Sequence, residues 1–529
     1  MKTDPVTFEV LRNAFTSVAE EMGAALVRTA YSPNIKERRD CSAAVFDREG
    51  RLISQAEHIP VHLGAMPESV KAALTQHPLA QWHSGDVVIL NDPFEGGTHL
   101  PDITLVSPVI FKAKVSGFVA NRAHHADVGG SAPGSMPGAS TEIFQEGLRI
   151  PPMKLIERGT INDELWRILL TNIRTPTERQ GDLRAQLAAN ATGVNRFKAI
   201  LQKYGSLQAF DFLSDLYDYS RKRMLIQINQ MPKGEFIFTD YMDNDGITTD
   251  PVKITVSVRI SKNQITFDFT KSDPQTEGNV NAPFAVTISC SYYVLRCITD
   301  PSIPVNAGCY APLQVIAPKG SVVNPLPPAA VSAGNVETSQ RIVDVLLGAL
   351  EQALPYRIPA ASQGTMNNLT IGGKIPGTLH AFTFYETIGG GMGARPTANG
   401  IDGIHSHMTN TANTPIEAIE STYPLRVHRY QLIPKSGGIG RYRGGLGIRR
   451  DIEILTKSAV VSIQSERRTF APWGLQGGQP GHCGRNYLKR QGKWKKLPGK
   501  VTFTAQKGDI ISIRTPGGGG LGKPSKEKK

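Results

Sequence analysis

Cysteine is scarce in this chain. Five stand at Cys41, Cys290, Cys297, Cys309 and Cys483, an odd number with no CxxC pair. That pattern argues against a disulfide framework and reads as reduced thiols in a cytoplasmic protein. Long apolar runs are missing too: no uncharged stretch approaches the ~20 residues a membrane helix needs. The start, Met1-Lys2-Thr3-Asp4-Pro5, runs into a charged amphipathic helix without an apolar h-region, so no secretory signal is expected. No GxSxG element is present to form a serine-hydrolase elbow. His58 and His62 are four apart, but no Glu follows His58 in HExxH order, and Pro60 opposes a helix between them. They read either as pocket-lining or as core histidines.

With 40% hydrophobic and 20% charged residues, the chain is too apolar to be disordered. The net charge of +13 is concentrated at one end. From Arg485 to Lys529 there are 13 Lys or Arg against Asp509 and Glu527, leaving only +2 on the first 484 residues. A confined basic run reads as a solvated surface or frayed terminus, next as a face for an acidic partner, and not as a nucleic-acid patch.

At 529 residues the length suggests about three or four domains and a core that needs no disulfide or metal to fold. The 52 glycines and 36 prolines imply many turns. Asp4 and Pro5 open a long helix whose apolar face runs Phe8, Leu11, Phe15, Val18, Met22 and Leu26. Strands are expected at Ala43–Phe46, Leu52–Ser54, Val87–Leu90, Ile103–Phe111 and Val119–Ala123. Helices are expected at Pro67–Leu74, Thr177–Tyr204 and Phe210–Met231. After Pro232-Lys233-Gly234 the pattern shifts to period-two strands at Phe236–Tyr241, Ile254–Ile260 and Ile265–Phe269, with helices at Thr287–Cys297 and Glu337–Leu354. The expectation is a mixed α/β (α+β) multidomain protein: a mixed α/β part over 1–232 with metal-site loops, a β-rich part with helices over 233–355, and a glycine-rich β part with a basic end over 356–529.

The densest chemistry lies between Asp40 and Asp127. Strand Val87–Leu90 runs into Asn91-Asp92-Pro93-Phe94-Glu95-Gly96-Gly97-Thr98-His99-Leu100-Pro101-Asp102. A second strand runs into His124-His125-Ala126-Asp127-Val128-Gly129-Gly130. His99 and Asp102 are close enough in sequence to chelate one ion. Neighbouring residues on a strand face opposite ways, so one of His124 and His125 can join them while the other orients it or contacts substrate. Two His with one or two Asp suit Zn, Mn or Fe rather than Mg or Ca. The competing reading is a polar loop cluster with satisfied hydrogen bonds. Asp40, in Glu37-Arg38-Arg39-Asp40-Cys41, reads on its own as an ion-pair partner of its arginines, and Cys41 as an inert buried thiol. Gly517-Gly518-Gly519-Gly520-Leu521-Gly522-Lys523 imitates a phosphate loop, but Pro524 stands where Ser or Thr must hold Mg. Gly389–Arg395 reads as a tight turn, with an anion cradle as the other reading.

Taken together, these blocks resemble the hydantoinase B/oxoprolinase family. The resemblance runs from Asp4-Pro5-Val6-Thr7-Phe8 to Gly517–Gly522. It passes through His58-Ile59-Pro60-Val61-His62, Gly97–Asp102, His124–Gly130, Gly389–Arg395 and Arg441-Tyr442-Arg443-Gly444-Gly445. It implies ATP-dependent opening of a cyclic amide (a hydantoin, 5-oxoproline or a lactam). The alternative is ketone carboxylation with bicarbonate, although such relatives usually have a longer chain. It further implies that this is a B-type subunit working with a separate A-type ATP-binding subunit, as two A-type and two B-type chains. Carried onto matching positions, the family's metal site falls on Asp40, His99, Asp102 and His124, with His125 and Asp127 as supporting groups or proton shuttles. Asp40 enters through the resemblance only.

Overall fold

The computed structural model describes residues 3–56 and 59–524, so His58 and the last five residues lie outside the described residues. The first helix, Pro5–Thr29, forms as its caps dictate. Asp4 accepts a hydrogen bond from the Thr7 N–H at 3.0 Å, and Pro5 supplies a helical φ at the first position. Phe8, Leu11, Phe15, Val18, Met22 and Leu26 are all buried, as their spacing requires. Ser32 caps a further short helix, Pro33–Lys36, which carries the chain into the first sheet.

That sheet has seven antiparallel strands: β1 (Cys41–Asp47), β2 (Leu52–Gln55), β3 (Val87–Leu90), β4 (Asp102–Phe111), β5 (Lys114–His124), β6 (Met153–Glu157) and β7 (Thr160–Ile161), in the order β2-β1-β5-β4-β3-β6-β7. Both faces are covered. Ala43, Val45 and Val119 pack against helices Pro5–Thr29, Pro176–Tyr204 and Ser206–Gln230. Ala44, Phe46, Phe118 and Ala120 face the other way, onto helix Ala65–Gln76 and the next sheet. The two-residue alternation of a strand thus feeds two separate cores.

The second sheet joins Gly234–Met242, Val252–Ser261, Gln264–Asp268 and Leu313–Ile316, the last pairing parallel. Helices Phe284–Cys297 and Ser339–Glu351 pack on it. Two antiparallel sheets of four and five strands follow between Asn368 and Arg514, closed on one another by Leu369, Ile371, Ile452, Val461, Ile463 and Ile511. The architecture is the mixed α/β arrangement with a β-rich second part that the pattern predicts. The helix expected from Glu337 differs: Gly334–Thr338 is a single π-helical turn, and the α-helix proper begins at Ser339. No helix among the described residues is long and apolar enough to cross a membrane.

Over its described residues, 485–524, the basic segment is folded. Arg485–Arg490, Lys493–Leu497, Lys500–Gln506 and Ile510–Arg514 are strands. Lys500 is buried against Glu466, while Lys493, Lys495 and Lys496 form an exposed, solvated face. The glycine segments pack backbone on backbone. Gly518 N–H donates to the Gly445 carbonyl at 3.0 Å, Gly519 to Ala361 at 2.8 Å and Gly520 to Gln479 at 2.9 Å. The donors of the phosphate-loop imitation are therefore spent on carbonyls. Gly390, Gly391 and Ala394 are likewise committed to Ile404, Pro516 and Gly519, so Gly389–Ala394 is an extended segment and the tight turn follows at Arg395–Ala398.

Candidate functional site

The site forms where β4 begins and β5 ends, because Asp102 and His124 are direct register partners. The loop before β4 is folded back by one side chain. Asn91 donates to the carbonyls of Leu100 at 2.7 Å and Leu148 at 2.9 Å, and accepts from Ile150 N–H at 2.7 Å. Gly97 N–H closes the loop on the Asp92 carbonyl at 2.8 Å. A Cβ at Gly97 would stand 2.4 Å from the Asn91 carbonyl oxygen, so only glycine permits this approach. His99 is thereby swung over Asp102.

Three donor atoms then converge. His99 Nε2 is 3.2 Å from Asp102 Oδ1, His124 Nδ1 is 3.1 Å from the same oxygen, and the two nitrogens are 3.2 Å apart. All three residues are buried, and among the described residues they form the one group of three or more such side chains close enough to hold a metal ion. Donors at about 2.0–2.1 Å from one ion stand about 3.0–3.4 Å from each other, which is the size of this triangle. Among the described residues, the outer nitrogens, His99 Nδ1 and His124 Nε2, are buried without a partner. Without an ion, both inner nitrogens can donate to Asp102, but the contact between them is then unrewarded.

Asp40 lines the same small cavity, of about 20 Å³, with His62, Asp102, His124, Asn335, Met366, Tyr385 and Met408. That volume accepts one water or ion. Among the described residues no arginine pairs with Asp40. Arg38 instead donates to Asn34 at 2.6 Å, Thr387 at 2.5 Å and Thr411 at 3.2 Å. The Asp40 carbonyl accepts from His124 N–H at 3.0 Å, tying the two positions together. A far larger cavity, of about 770 Å³, has Arg12, Arg28, Arg39 and Gln55 among its lining. We place the chemistry in the small cavity because the convergent donors are there.

His62, which the sequence leaves undecided, belongs to the site. Its Nδ1 bonds Ser42 Oγ at 2.9 Å and its Nε2 faces Asp102 Oδ2 at 3.6 Å. Thr98 donates to Asp102 Oδ2 at 2.5 Å. Tyr385 stacks on the His124 ring, centroids 4.3 Å apart and 19° between planes. His125 and Asp127 are engaged elsewhere. His125 Nε2 meets Gln186 Oε1 at 2.9 Å on helix Pro176–Tyr204, away from His124's partners. Asp127 pairs with Arg174 at 2.9 Å and accepts from Gly129 and Gly134 N–H.

The electrostatics suit metal ligation. Burial pushes the Asp102 carboxyl up, but His99, His124 and His62 together hold it well below the usual carboxylate range. Burial lowers His124 in spite of Asp102, favouring the neutral ring that can offer a lone pair. Burial raises the Cys41 thiol, which favours the inert protonated form.

Fold and site define a mixed α/β protein with a buried His/Asp donor cluster at a strand end. The chain belongs to the hydantoinase B/oxoprolinase family, which it matches over residues 4–524. An uncharacterised protein of Methanocaldococcus jannaschii is 44% identical, covering 98% of this chain and 91% of its own length. 5-Oxoprolinase 1 of Arabidopsis thaliana is 41% identical over 98% of this chain, which spans only 42% of that longer protein. A Pseudomonas sp. protein provisionally named as the B component of a D-/L-hydantoinase is 33% identical over 99% of this chain and 90% of its own. Among solved structures, the ATP-dependent caprolactamase of Pseudomonas jessenii superposes with a TM-score of 0.91 at 28% identity, covering 99% of this chain and 92% of that one. Acetone carboxylase shares the fold, with a TM-score of 0.91 over 99% of this chain and 76% of that one, at 18% identity.

Proposed function

We propose that this chain is the B-type subunit of an ATP-dependent cyclic amide hydrolase, opening a hydantoin, 5-oxoproline or lactam ring, with ATP held by a separate A-type subunit. The observation that carries the reading is the buried meeting of His99, Asp102 and His124 in a chain of this family. What supports a divided enzyme is the similarity to a Pseudomonas protein provisionally named as the B component of a hydantoinase. The 5-oxoprolinase of Arabidopsis thaliana, of which this chain spans 42%, is a single longer polypeptide. We assign the complex two A-type and two B-type chains in the cytoplasm. Acetone carboxylase, at 18% identity, supports the fold and not carboxylation.

His99, Asp102, His124 and Asp40 fit a divalent Zn, Mn or Fe ion by donor type and by the size of the triangle. When bound, the ion supplies Lewis acidity toward the amide carbonyl. An unstrained ring amide resists hydrolysis, which is why activation by ATP makes thermodynamic sense. Asp102 stays anionic and His124 neutral, so both donors are ready at neutral pH. We assign proton movement to His62, whose ring is oriented by Ser42 and faces the cavity, rather than to His125 or Asp127. Ring entry requires the cavity wall to yield, and Met366 and Met408 are its most adaptable side chains.

The test is elemental analysis of the purified chain, alone and co-expressed with a candidate A-type subunit, with ring opening assayed with and without ATP. About one transition metal per chain and ATP-dependent opening by the pair alone is the expected result. Absence of metal, or a bicarbonate-dependent gain of substrate mass in place of ring opening, would overturn it.

A further inference from the structure

Glu337 is fully buried on the π-helical turn Gly334–Thr338, whose Asn335 and Val336 line the small cavity. Turns of this kind recur at functional sites. Its Oε1 accepts from the Met366 N–H and from Asn368 Nδ2, each at 3.2 Å. Asn368 Oδ1 in turn accepts from the Tyr385 hydroxyl at 3.0 Å. Tyr385 has the His124 ring at 4.3 Å and the Arg38 guanidinium 5.0 Å from its centroid. A continuous chain of contacts therefore runs from Glu337 to a ring of the donor triangle. Among the described residues, Glu337 Oε2 is buried without a partner and no cation lies within 4.0 Å of the carboxyl. An ionised carboxylate left so would be costly, whereas a protonated one is tolerable.

We propose that Glu337 is a positioning residue that fixes the plane of the His124 ring through Asn368 and Tyr385, and that it does so as a neutral carboxylic acid. The inference rests on the reading of His124 as a metal ligand. The groups facing Glu337 are Thr365, Asn368, Glu466, Lys500 and Arg468. Burial and Glu466 outweigh Thr365, Lys500 and Arg468, and the carboxyl is pushed up to about 8. Loss of its proton places an unpaired charge at the root of the chain, loosening Tyr385 and with it the ligand.

The experiment uses the full chain with Mn(II) or Zn(II) as probe. Metal affinity is measured from pH 6.5 to 9.5, and the carboxylic-acid carbonyl band is followed by infrared over the same range. Wild type should show that band at pH 7, lose it near pH 8, and bind metal more weakly above that point. Glu337→Gln, which keeps the shape and stays neutral, should lack the band and bind with wild-type affinity up to pH 9.5. Asn368→Ala should bind about 10-fold or more weakly at every pH, the usual cost of losing a group that supports a ligand. An ionised Glu337 at pH 7 overturns the proposal. So does an E337Q variant that weakens with pH as wild type does. A wild type that binds neither ion overturns the ligand reading and this role with it. Binding by wild type and Asn368→Ala alike overturns the role alone.

Discussion

Of the three converging side chains, His99 depends most on its loop, and its removal separates a metal centre from a polar cluster. His99→Ala should abolish bound transition metal and ring opening together, while the chain stays folded. It should also destabilise by about 1–3 kcal/mol, because Asp102 loses a partner in a buried setting. Elemental analysis beside urea unfolding checks both, and metal retained at wild-type content would refute the ligand role. His125→Gln should leave metal content unchanged, since that ring bonds Gln186 and not the triangle. The two histidines His124 and His125 are adjacent in sequence, yet one ring joins the triangle and the other bonds Gln186. Legibility at this level followed distance along the chain. His99, Asp102 and His124 were readable because each ends or precedes a strand with glycine beside it. His62 stayed ambiguous because Pro60 masks its geometry, and only the fold brings its Nε2 to Asp102. Tyr385 carried no signal, since nothing local to it announces that it will stack on His124.

Secondary-structure elements were legible where they were long. Pro5–Thr29, Pro176–Tyr204 and Ser206–Gln230 declare themselves over many turns, and β3, β4 and β5 through apolar runs between glycine-bearing loops. β6 and β7, at one end of the first sheet, escaped because five and two residues give period two no room to show. The π-helical turn escaped because its polar residues are buried for the site rather than for a helix face. Glycine crowding near the C-terminus imitates a phosphate loop for the opposite reason: those glycines serve packing between segments. A Cβ on Gly518 would stand 2.1 Å from the Met392 carbonyl oxygen, and backbone cannot swing aside as a side chain does. Gly518→Ala should therefore cost about 2 kcal/mol or more and leave metal content per folded chain unchanged. Denaturant midpoints compared with those of an exposed control, Gly492→Ala corrected for its positive φ of 79°, would check it. A Gly518 variant as stable as wild type would mean that the glycine layers are loosely packed.

Across the whole molecule, charge is buried where the sheets meet. Asp240 on the second sheet binds Arg341 at 2.9 Å and Arg467 at 2.8 Å, Arg467 also holds Asp344, and Glu466 holds Lys500. Stability should therefore respond to pH through buried groups as well as through the surface, and two of them act with opposite sign. Burial brings His125 down from 6.5 to about 4. Between those values the unfolded chain binds a proton that the folded one refuses, so His125 makes stability fall as pH drops from 6.5 to 4. Glu337 is raised from 4.5 to about 8, so the folded chain keeps a proton that the unfolded one releases, and stability falls as pH rises through that window. Each effect has a ceiling of about 1.4 kcal/mol per pH unit. Unfolding free energies at pH 7.5, 6 and 4.5 for wild type, His125→Gln and Glu337→Gln separate them. The wild-type advantage over His125→Gln should shrink toward acid, and that over Glu337→Gln should shrink toward base. Parallel curves for all three proteins would show that neither group changes its protonation on unfolding, and would remove the electrostatic ground for a neutral acid behind the site.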